Sequence, residues 1–263
     1  MGNFKQALSY FNHQLTARNS KGFGIHSPYI FHLVTRIVHD FTPFYCYSDI
    51  EKERERLLQN HQTIKVTDFG SGSKALPHTE KKISDIAKHS LKPKTQAQLL
   101  FRLLNHFESK SILELGTSLG ITTSYLASVS SKSKLITLEG CPEICKQAQQ
   151  TFSNLNLKNI ELITGNINNT LNEALKKLST LDFVFFDGNH QKDATLNYFQ
   201  TCLPFKHNNT VFVFDDIHKS DEMTKAWEQI KMHNEVKVTL DLFYLGIVFF
   251  KHEFTKQHFN IKF

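Results

Sequence analysis

Several features are scarce in this chain of 263 residues. It has four cysteines, one tryptophan, three methionines and six prolines. It also lacks any apolar run of about 18 residues, so we expect no transmembrane helix. The segment from Met1 to Thr16 has no continuous apolar core followed by a small-residue cleavage site, which argues against a signal peptide. The chain is 40% hydrophobic and 21% charged, which is typical of a soluble globular protein, and we expect a cytoplasmic location.

Familiar metal and redox motifs are also missing. The four cysteines contain no C-x-x-C pair, and the 14 histidines form neither H-x-x-x-H nor H-E-x-x-H. Cys141 and Cys145 are one turn apart on a predicted helix and are interpreted as ordinary helix residues. The net charge of +6 comes from scattered lysines rather than from one basic block, so the sequence shows no clear nucleic-acid module.

The most informative stretch runs from Ser111 to Thr122 and reads SILELGTSLGIT. Its apolar residues predict a short buried strand with Glu114 near the carboxyl end. Gly116 and Gly120 bracket a turn, and a helix follows from Thr122. Such a unit can hold a nucleoside or its charged tail, because glycines let the backbone approach and helix N–H groups face the ligand. Its E-x-G-x-x-x-G spacing differs from the G-x-G-x-x-G of dinucleotide sites, so a nicotinamide oxidoreductase is the weaker alternative.

This stretch resembles motif I of the class I S-adenosylmethionine (SAM) methyltransferases. The sequence ELGTSLGITT is most similar to that of the catechol O-methyltransferase-like branch. The resemblance spans residues 110–252 and implies an α/β fold. In that fold a Rossmann-like, seven-stranded and mostly parallel sheet carries helices on both faces, and its final strand runs antiparallel.

Regular alternation of strands and helices after Ser111 independently indicates a parallel sheet. After the strand at Ser111, further strands are predicted at 135–138, 160–163, 183–186, 211–214, 236–241 and 247–251. Residues 1–62 are predicted to form a helical extension that covers the substrate side or contacts a second copy in a homodimer. Residues 63–263 are predicted to form the methyltransferase domain.

Within the extension, Phe4, Leu8, Phe11 and Leu15 recur at helical spacing and predict an amphipathic helix. The charged stretch 49–62 predicts a solvated helix. His26 and Ser27 either line the substrate pocket or, in the preferred interpretation, precede a helix that starts at Pro28.

A second glycine-rich segment, Asp68–Ser73, reads DFGSGS. Residues 63–67 before it are too polar for a buried strand, and Pro77 interrupts any helix after it. We therefore interpret this segment as a flexible loop near the mouth of the active site.

Polar side chains stand at the ends of five successive predicted strands. They are Glu114, Glu139, Asn166, Asp187, Asp215 and Asp216. Ligands of open parallel sheets bind beyond the carboxyl ends of the strands, so this pattern indicates a binding site.

The resemblance implies a role for each cofactor residue. Glu139 would accept hydrogen bonds from the ribose hydroxyls, and Asn166 would lie near the adenine amine. Glu114 and Gly116 would face the methionine part of SAM. Thr117 and the Gly120 region would hold its carboxylate and backbone.

The resemblance also implies a metal site, since the catechol and macrocin O-methyltransferase-like families hold Mg²⁺ at the positions of Asp187, Asp215 and Asp216. Three carboxylates suit a small hard cation. The alternative is that Asp187 or Asp215 only touches SAM and that Asp216 caps a helix.

A histidine is the predicted general base. His190 lies three residues after Asp187, where the catechol-type enzymes have a lysine. Asn189 occupies the position of the acid in the macrocin-like enzymes and cannot act as a base. An imidazole can accept a hydroxyl proton near neutral pH, so His190 is the first candidate and His218 the second.

The sequence therefore predicts a SAM-dependent O-methyltransferase that acts on a small hydroxylated molecule, and the resemblance implies assistance by Mg²⁺. One alternative is a nucleic-acid or protein methyltransferase, although no D-P-P-Y or N-P-P-Y run follows the fourth strand. Another is a non-catalytic SAM-fold protein that binds a partner through residues 1–60.

Overall fold

The computed structural model describes residues 2–17, 19, 21–67 and 79–263, and the Asp68–Ser73 segment lies outside them. The chain divides into two compact units. The first unit comprises Met1–Phe41 and Thr180–Phe263, and the second comprises Thr42–Ser179.

The helices and strands follow one another along the chain in this order: α1 (Gly2–Thr16), α2 (Pro28–Leu33), α3 (Tyr47–Leu58), β1 (Thr63–Val66), β2 (Thr79–Lys82), α4 (Ile83–Ser90), α5 (Lys94–His106), β3 (Ser111–Leu115), α6 (Ile121–Ala127), β4 (Lys134–Glu139), α7 (Pro142–Asn154), β5 (Ile160–Thr164), α8 (Ile167–Leu178), β6 (Leu181–Phe186), α9 (Lys192–Cys202), β7 (Lys206–Asp215), α10 (Asp221–Met232), β8 (Val238–Asp241), β9 (Leu245–Phe249) and β10 (Gln257–Asn260). A π-helical turn at Val34–Val38 continues α2, and a short 3₁₀ turn at Leu203–Phe205 follows α9.

Eight strands form the main sheet, which is mostly parallel. The first unit contributes strands in the order β10-β8-β9-β7-β6, and the second contributes β3-β4-β5. Strand β9 runs antiparallel to both of its neighbours, β7 and β8. The sheet is mostly parallel, as predicted, but it has eight strands instead of seven, because β10 pairs in parallel with β8. Its sequence QHFN has one buried apolar residue, Phe259, so no hydrophobic pattern marks it as a strand.

A further two-stranded sheet pairs β1 with β2 in antiparallel register. Residues 63–67 were predicted to be too polar for a buried strand, and Thr63–Val66 form a half-exposed strand instead. Ile64 and Val66 are buried while Thr63 and Lys65 are exposed, which is the alternation of a strand with one covered face. Strand β2 ends at Lys82, and α4 begins at Ile83.

Helix α3 is not the solvated helix that its charges suggest. Ile50, Glu53 and Leu57 are buried on one face. The Glu53 carboxylate accepts hydrogen bonds from Arg56 and from Asn154, whose Nδ2 lies 3.0 Å from Oε1. These partners compensate the burial of a charge that would otherwise be costly.

Helix α1 forms as predicted, but its apolar stripe faces outward. The side chains of Leu8, Phe11 and Leu15 are 60%, 61% and 66% exposed, whereas His13 is only 7% exposed. The inward face of this helix is therefore polar and aromatic, which its apolar periodicity did not indicate.

The predicted helix start at Pro28 is confirmed by its cap, and α10 has a cap of the same kind. The Ser27 hydroxyl accepts the Ile30 N–H at the start of α2, and the Ser220 hydroxyl accepts the Met223 N–H at the start of α10. Among the described residues, no helix is both long and apolar enough to cross a membrane.

Candidate active site

The turn between β3 and α6 depends on its two glycines. Gly116 has φ +102° and Gly120 has φ +83°, a region that other residues rarely adopt. A Cβ atom on Gly120 would lie 2.6 Å from Cε1 of Phe152 on α7. Gly120 thus permits both the backbone turn and the close approach of the next helix, which places α6 directly after the turn.

Glu114 lies beneath this turn in a network of threonine hydroxyls. It stands opposite Thr137 in the register of β3 and β4. Its Oε2 accepts hydrogen bonds from Thr123 at 2.5 Å and from Thr137 at 2.7 Å. Because the Thr137 hydrogen is used on Glu114, Thr117 donates to Thr137 over 2.6 Å. The network fixes the carboxylate and links it to the loop residue Thr117.

The second oxygen of Glu114, Oε1, is buried and has no hydrogen-bond partner among the described residues. Burial raises the pKa of this carboxyl to about 7, although the two threonine hydroxyls and the charge of Lys92 counteract part of that shift. An unsatisfied carboxylate oxygen fits an ammonium group as partner, directly or through a water molecule.

Glu139 joins two loops at the end of β4. Its Oε2 accepts the Ser118 N–H at 3.0 Å, and its Oε1 accepts the Cys141 N–H at 2.9 Å. Each carboxylate oxygen retains acceptor capacity for a ligand hydroxyl. Beside it, the Gly165 N–H donates to the Glu139 carbonyl, which brings the end of β5 next to that of β4.

Asn166 begins α8, and its side-chain oxygen accepts the Asn168 N–H at 2.9 Å. This oxygen is therefore already engaged in a helix cap, and a bond to an adenine amine would use its remaining lone pair. The structure thus gathers Glu114, Gly116, Thr117, Gly120 and Glu139 around one turn of the second unit, with Asn166 beside Glu139.

In the first unit, the register of β6 and β7 brings two acids together. Phe186 pairs with Phe214, and their rings stack 4.3 Å apart. Asp187 and Asp215 follow these residues directly, so they come from equivalent positions on adjacent parallel strands. Asp187, His190 and Asp215 each offer a ligand atom, and these atoms lie within 4.8 Å of one another. The group has the composition of a divalent cation site.

Asp216 has a different position from that of its neighbour. Its φ is +54°, and its Oδ2 accepts a hydrogen bond from Lys219 Nζ at 2.7 Å. The same oxygen is 3.8 Å from His190 Nε2, which is also 3.6 Å from Asp187 Oδ1. The structure therefore groups His190, rather than Asp216, with Asp187 and Asp215.

His218 has partners on both ring nitrogens. Nε2 lies 2.8 Å from Asp241 Oδ2, and Nδ1 lies 3.3 Å from the Thr224 hydroxyl. This arrangement holds the ring in place and favours His190 over His218 as the proton acceptor.

Sequence reasoning missed three residues that organise these sites, namely Thr123, Thr137 and Asp241. Thr137 is a polar residue within the apolar run of β4, and Asp241 is a further acid at a strand end, so both carried a signal. Thr123 carried none, because its role depends on the packing of α6 over β3.

Comparison with known proteins supports the resemblance to methyltransferases. Residues 113–217 match a family profile described as a methyltransferase domain. No curated protein matches the chain in sequence.

Solved structures share the fold at low sequence identity. An O-methyltransferase from Bacillus cereus in complex with S-adenosylhomocysteine (SAH) is 18% identical, with a TM-score of 0.56 over 80% of this chain and 92% of its own. TomG from Streptomyces achromogenes, an O-methyltransferase of tomaymycin synthesis in complex with SAM, is 16% identical, with a TM-score of 0.56 over 84% and 95%. The SAH-bound Podospora anserina methyltransferase PaMTH1 is 16% identical, with a TM-score of 0.53 over 81% and 99%. The profile and the fold confirm the resemblance predicted from the sequence.

Proposed function

We propose that this chain is a class I SAM-dependent methyltransferase, and that it methylates an oxygen atom of a small hydroxylated molecule with the help of a divalent cation. The acid pair at the register-matched ends of β6 and β7, with His190 beside it, is the observation that supports this proposal most directly. SAM supplies an electrophilic methyl group on a sulfonium centre. The residues of the chain bind and orient the reactants.

We assign the donor site to the second unit. Glu139 is placed to accept the ribose hydroxyls, since both of its oxygens are already oriented by backbone N–H groups. Glu114 provides negative charge for the methionine ammonium group, through the oxygen that has no partner among the described residues. Gly116 has no side chain, so the methionine part of SAM can approach its backbone, and Gly120 permits the turn that follows.

We assign the cation to Asp187, His190 and Asp215. A cation bound there would lower the pKa of an acceptor hydroxyl and orient its oxygen. Carboxylate oxygens suit Mg²⁺, and an imidazole ligand also suits Mn²⁺ and other transition ions. Asp216 lies at the edge of this group, where Lys219 neutralises part of its charge.

The proton of the acceptor is assigned to His190. Its imidazole is about one-quarter exposed and lies near the carboxylates of Asp187 and Asp216. If His190 ligates the cation through one nitrogen, that nitrogen is not available as the base. A substitution of His190 therefore tests its role as a cation ligand and its role as the base. Cation binding and the rate of methyl transfer are measured in separate experiments.

The segment 1–62 is proposed to cover the acceptor or to contact a second copy of the chain, and 63–263 to form the methyltransferase domain. The cytoplasmic location inferred from the sequence stays a prediction.

Calorimetry with SAM and SAH, in the presence and absence of Mg²⁺ or Mn²⁺, tests this proposal. Wild type should bind both cofactor forms. Asp215→Asn should abolish cation binding and leave SAM binding intact, because the two sites use different residues. Asp216→Asn is the matched control, and it should weaken cation binding much less.

The outcomes separate the parts of the proposal. Loss of cation binding in both variants would restore the original set of Asp187, Asp215 and Asp216. Cofactor binding without any cation site would exclude metal assistance and leave His190 as the base. If neither SAM nor SAH bound, the assignment of the donor site would be wrong.

A further inference from the structure

A buried carboxylate at the end of β8 connects several segments of the first unit. Asp241 is 5% exposed. Its Oδ2 accepts hydrogen bonds from Trp227 Nε1 at 2.9 Å and from His218 Nε2 at 2.8 Å. Its Oδ1 accepts the Phe243 N–H at 2.9 Å. His13 Nε2 lies 3.2 Å from this oxygen and also 3.2 Å from the Asp241 carbonyl oxygen. Burial alone would raise the pKa of Asp241, but these hydrogen bonds hold it well below its usual value.

The loop after β7 depends on this carboxylate at two points. His218 ties the far side of the loop directly to Asp241. On the near side, the Asp216 N–H donates to the Tyr244 carbonyl at 2.7 Å. Tyr244 belongs to the turn between β8 and β9, in which Phe243 has φ +72° and donates its N–H to Asp241. Asp241 thus holds both the loop that carries Asp216 and the turn that supports it.

Helix α1 is attached to the same turn. The Tyr10 ring lies 5.0 Å from that of Phe243 and 5.8 Å from that of Tyr244. His13, one helical turn later, lies 5.5 Å from Phe243 and contacts Asp241. The apolar stripe of α1 points to solvent, so the helix gains little from apolar burial on that side. Among the described side chains of this helix, His13 and Tyr10 are therefore the ones that attach it to the turn.

We infer that Asp241 is a positioning residue that couples helix α1 to the loop carrying Asp216, so that attachment of the helix helps to set Asp216 beside His190. The coupling runs from His13 through the Asp241 carboxylate to His218 and, through the Phe243 turn, to the Asp216 backbone. This inference rests on the proposed function only in giving Asp216 and His190 a part in the reaction. The coupling itself is a property of the fold.

Hydrogen exchange of the full chain without ligands, followed by mass spectrometry, tests the coupling. His13→Ala should accelerate exchange about tenfold not only in α1 but also in residues 215–219, which are distant in sequence. His13→Gln keeps an N–H donor at a similar reach and should restore protection in both segments. Asp241→Asn should accelerate exchange in both segments, because it removes the carboxylate charge that lies beside both His13 and His218.

A second aspartate–histidine pair in the same unit provides the control. His207 Nε2 lies 2.8 Å from Asp182 Oδ1, and Asp182→Asn should leave exchange in residues 215–219 unchanged. Faster exchange there in this control would mean that any lost pair loosens the loop, which would overturn the inference. It would also be overturned if His13→Ala released α1 alone and left 215–219 protected.

Cation affinity gives a second readout. If wild type binds Mg²⁺, His13→Ala should weaken that binding and leave SAM affinity unchanged, and His13→Gln should recover it. Equal Mg²⁺ affinity in wild type and His13→Ala would contradict the functional part of the inference. Because the exchange measurement requires neither cofactor nor metal, it decides the coupling even if the proposed function fails.

Discussion

At the scale of single residues, Glu114 is an unusual group in the proposed donor site. It is completely buried, one of its oxygens accepts two threonine hydroxyls, and the other has no hydrogen-bond partner in the described part of the chain. Burying a carboxylate with incomplete hydrogen bonding disfavours its charged form, which is why its pKa rises to about 7. Binding of a cationic group would favour the ionised form again.

This pKa predicts how stability depends on pH. Since the pKa rises from 4.5 to about 7 on folding, the native state binds more protons than the unfolded chain between these values. The free energy of unfolding should therefore fall as pH rises through this window. Glu114→Gln removes the effect, so the variant should gain on the order of 3 kcal/mol relative to wild type between pH 4 and pH 8.

Urea unfolding at several pH values, without cofactor, measures this difference. Glu55→Gln, which replaces an exposed carboxylate, serves as the control. Parallel stability curves for wild type and Glu114→Gln would show that the buried carboxyl is not responsible for the pH dependence.

At the scale of elements, the approach of α7 to the β3–α6 turn decides the shape of the donor site. The ring of Phe152 and the backbone of Ala148 leave no room for a side chain at Gly120. The turn, the start of α6 and the face of α7 therefore form one packed unit, and a change at their contact affects both stability and cofactor binding.

Gly120→Ala should lower the free energy of unfolding by about 2 kcal/mol, because it adds a clash to an unfavourable φ. It should also weaken SAM binding, since the backbone around the turn must shift. Thermal unfolding and calorimetry measure the two effects.

A double-mutant cycle identifies the cause. Phe152→Leu removes the ring atoms nearest to the new Cβ, so Gly120→Ala should cost less in that background than in wild type. The remaining cost reports the backbone strain together with the tight contact to Ala148 Cα. Strictly additive effects would show that the ring of Phe152 is not the source of the clash.

At the scale of the whole molecule, the exposed apolar face of α1 is a candidate contact surface for the predicted homodimer. Leu8, Phe11 and Leu15 lie on one helix face and are exposed by 60% or more. A symmetric dimer would place this face against the same face of a second copy, which would bury both stripes.

Sedimentation equilibrium tests this prediction. Wild type should self-associate, and Phe11→Ser should shift the equilibrium toward monomer. Phe23→Ser is the matched control, because Phe23 is 73% exposed but lies outside the helix. A monomeric wild type, or equal effects of the two substitutions, would rule out the stripe as the dimer contact.

Local patterns in the sequence determined much of this protein. The apolar run with Glu114 and two spaced glycines predicted strand, turn and helix, because backbone geometry and burial act over a few residues there. The acids at successive strand ends predicted where ligand-binding groups gather, since parallel strands end at one edge of a sheet. The family resemblance supplied the expected cofactor, SAM.

Only the tertiary structure decided which of these groups meet. The register of β6 and β7 brings Asp187 and Asp215 together, and the positive φ of Asp216 directs it toward Lys219. Long-range pairing also determined that β10 joins β8 and that α1 faces inward through His13 rather than through its leucines and phenylalanine. These outcomes depend on partners more than 200 residues away in the case of His13 and Asp241, which no local periodicity encodes.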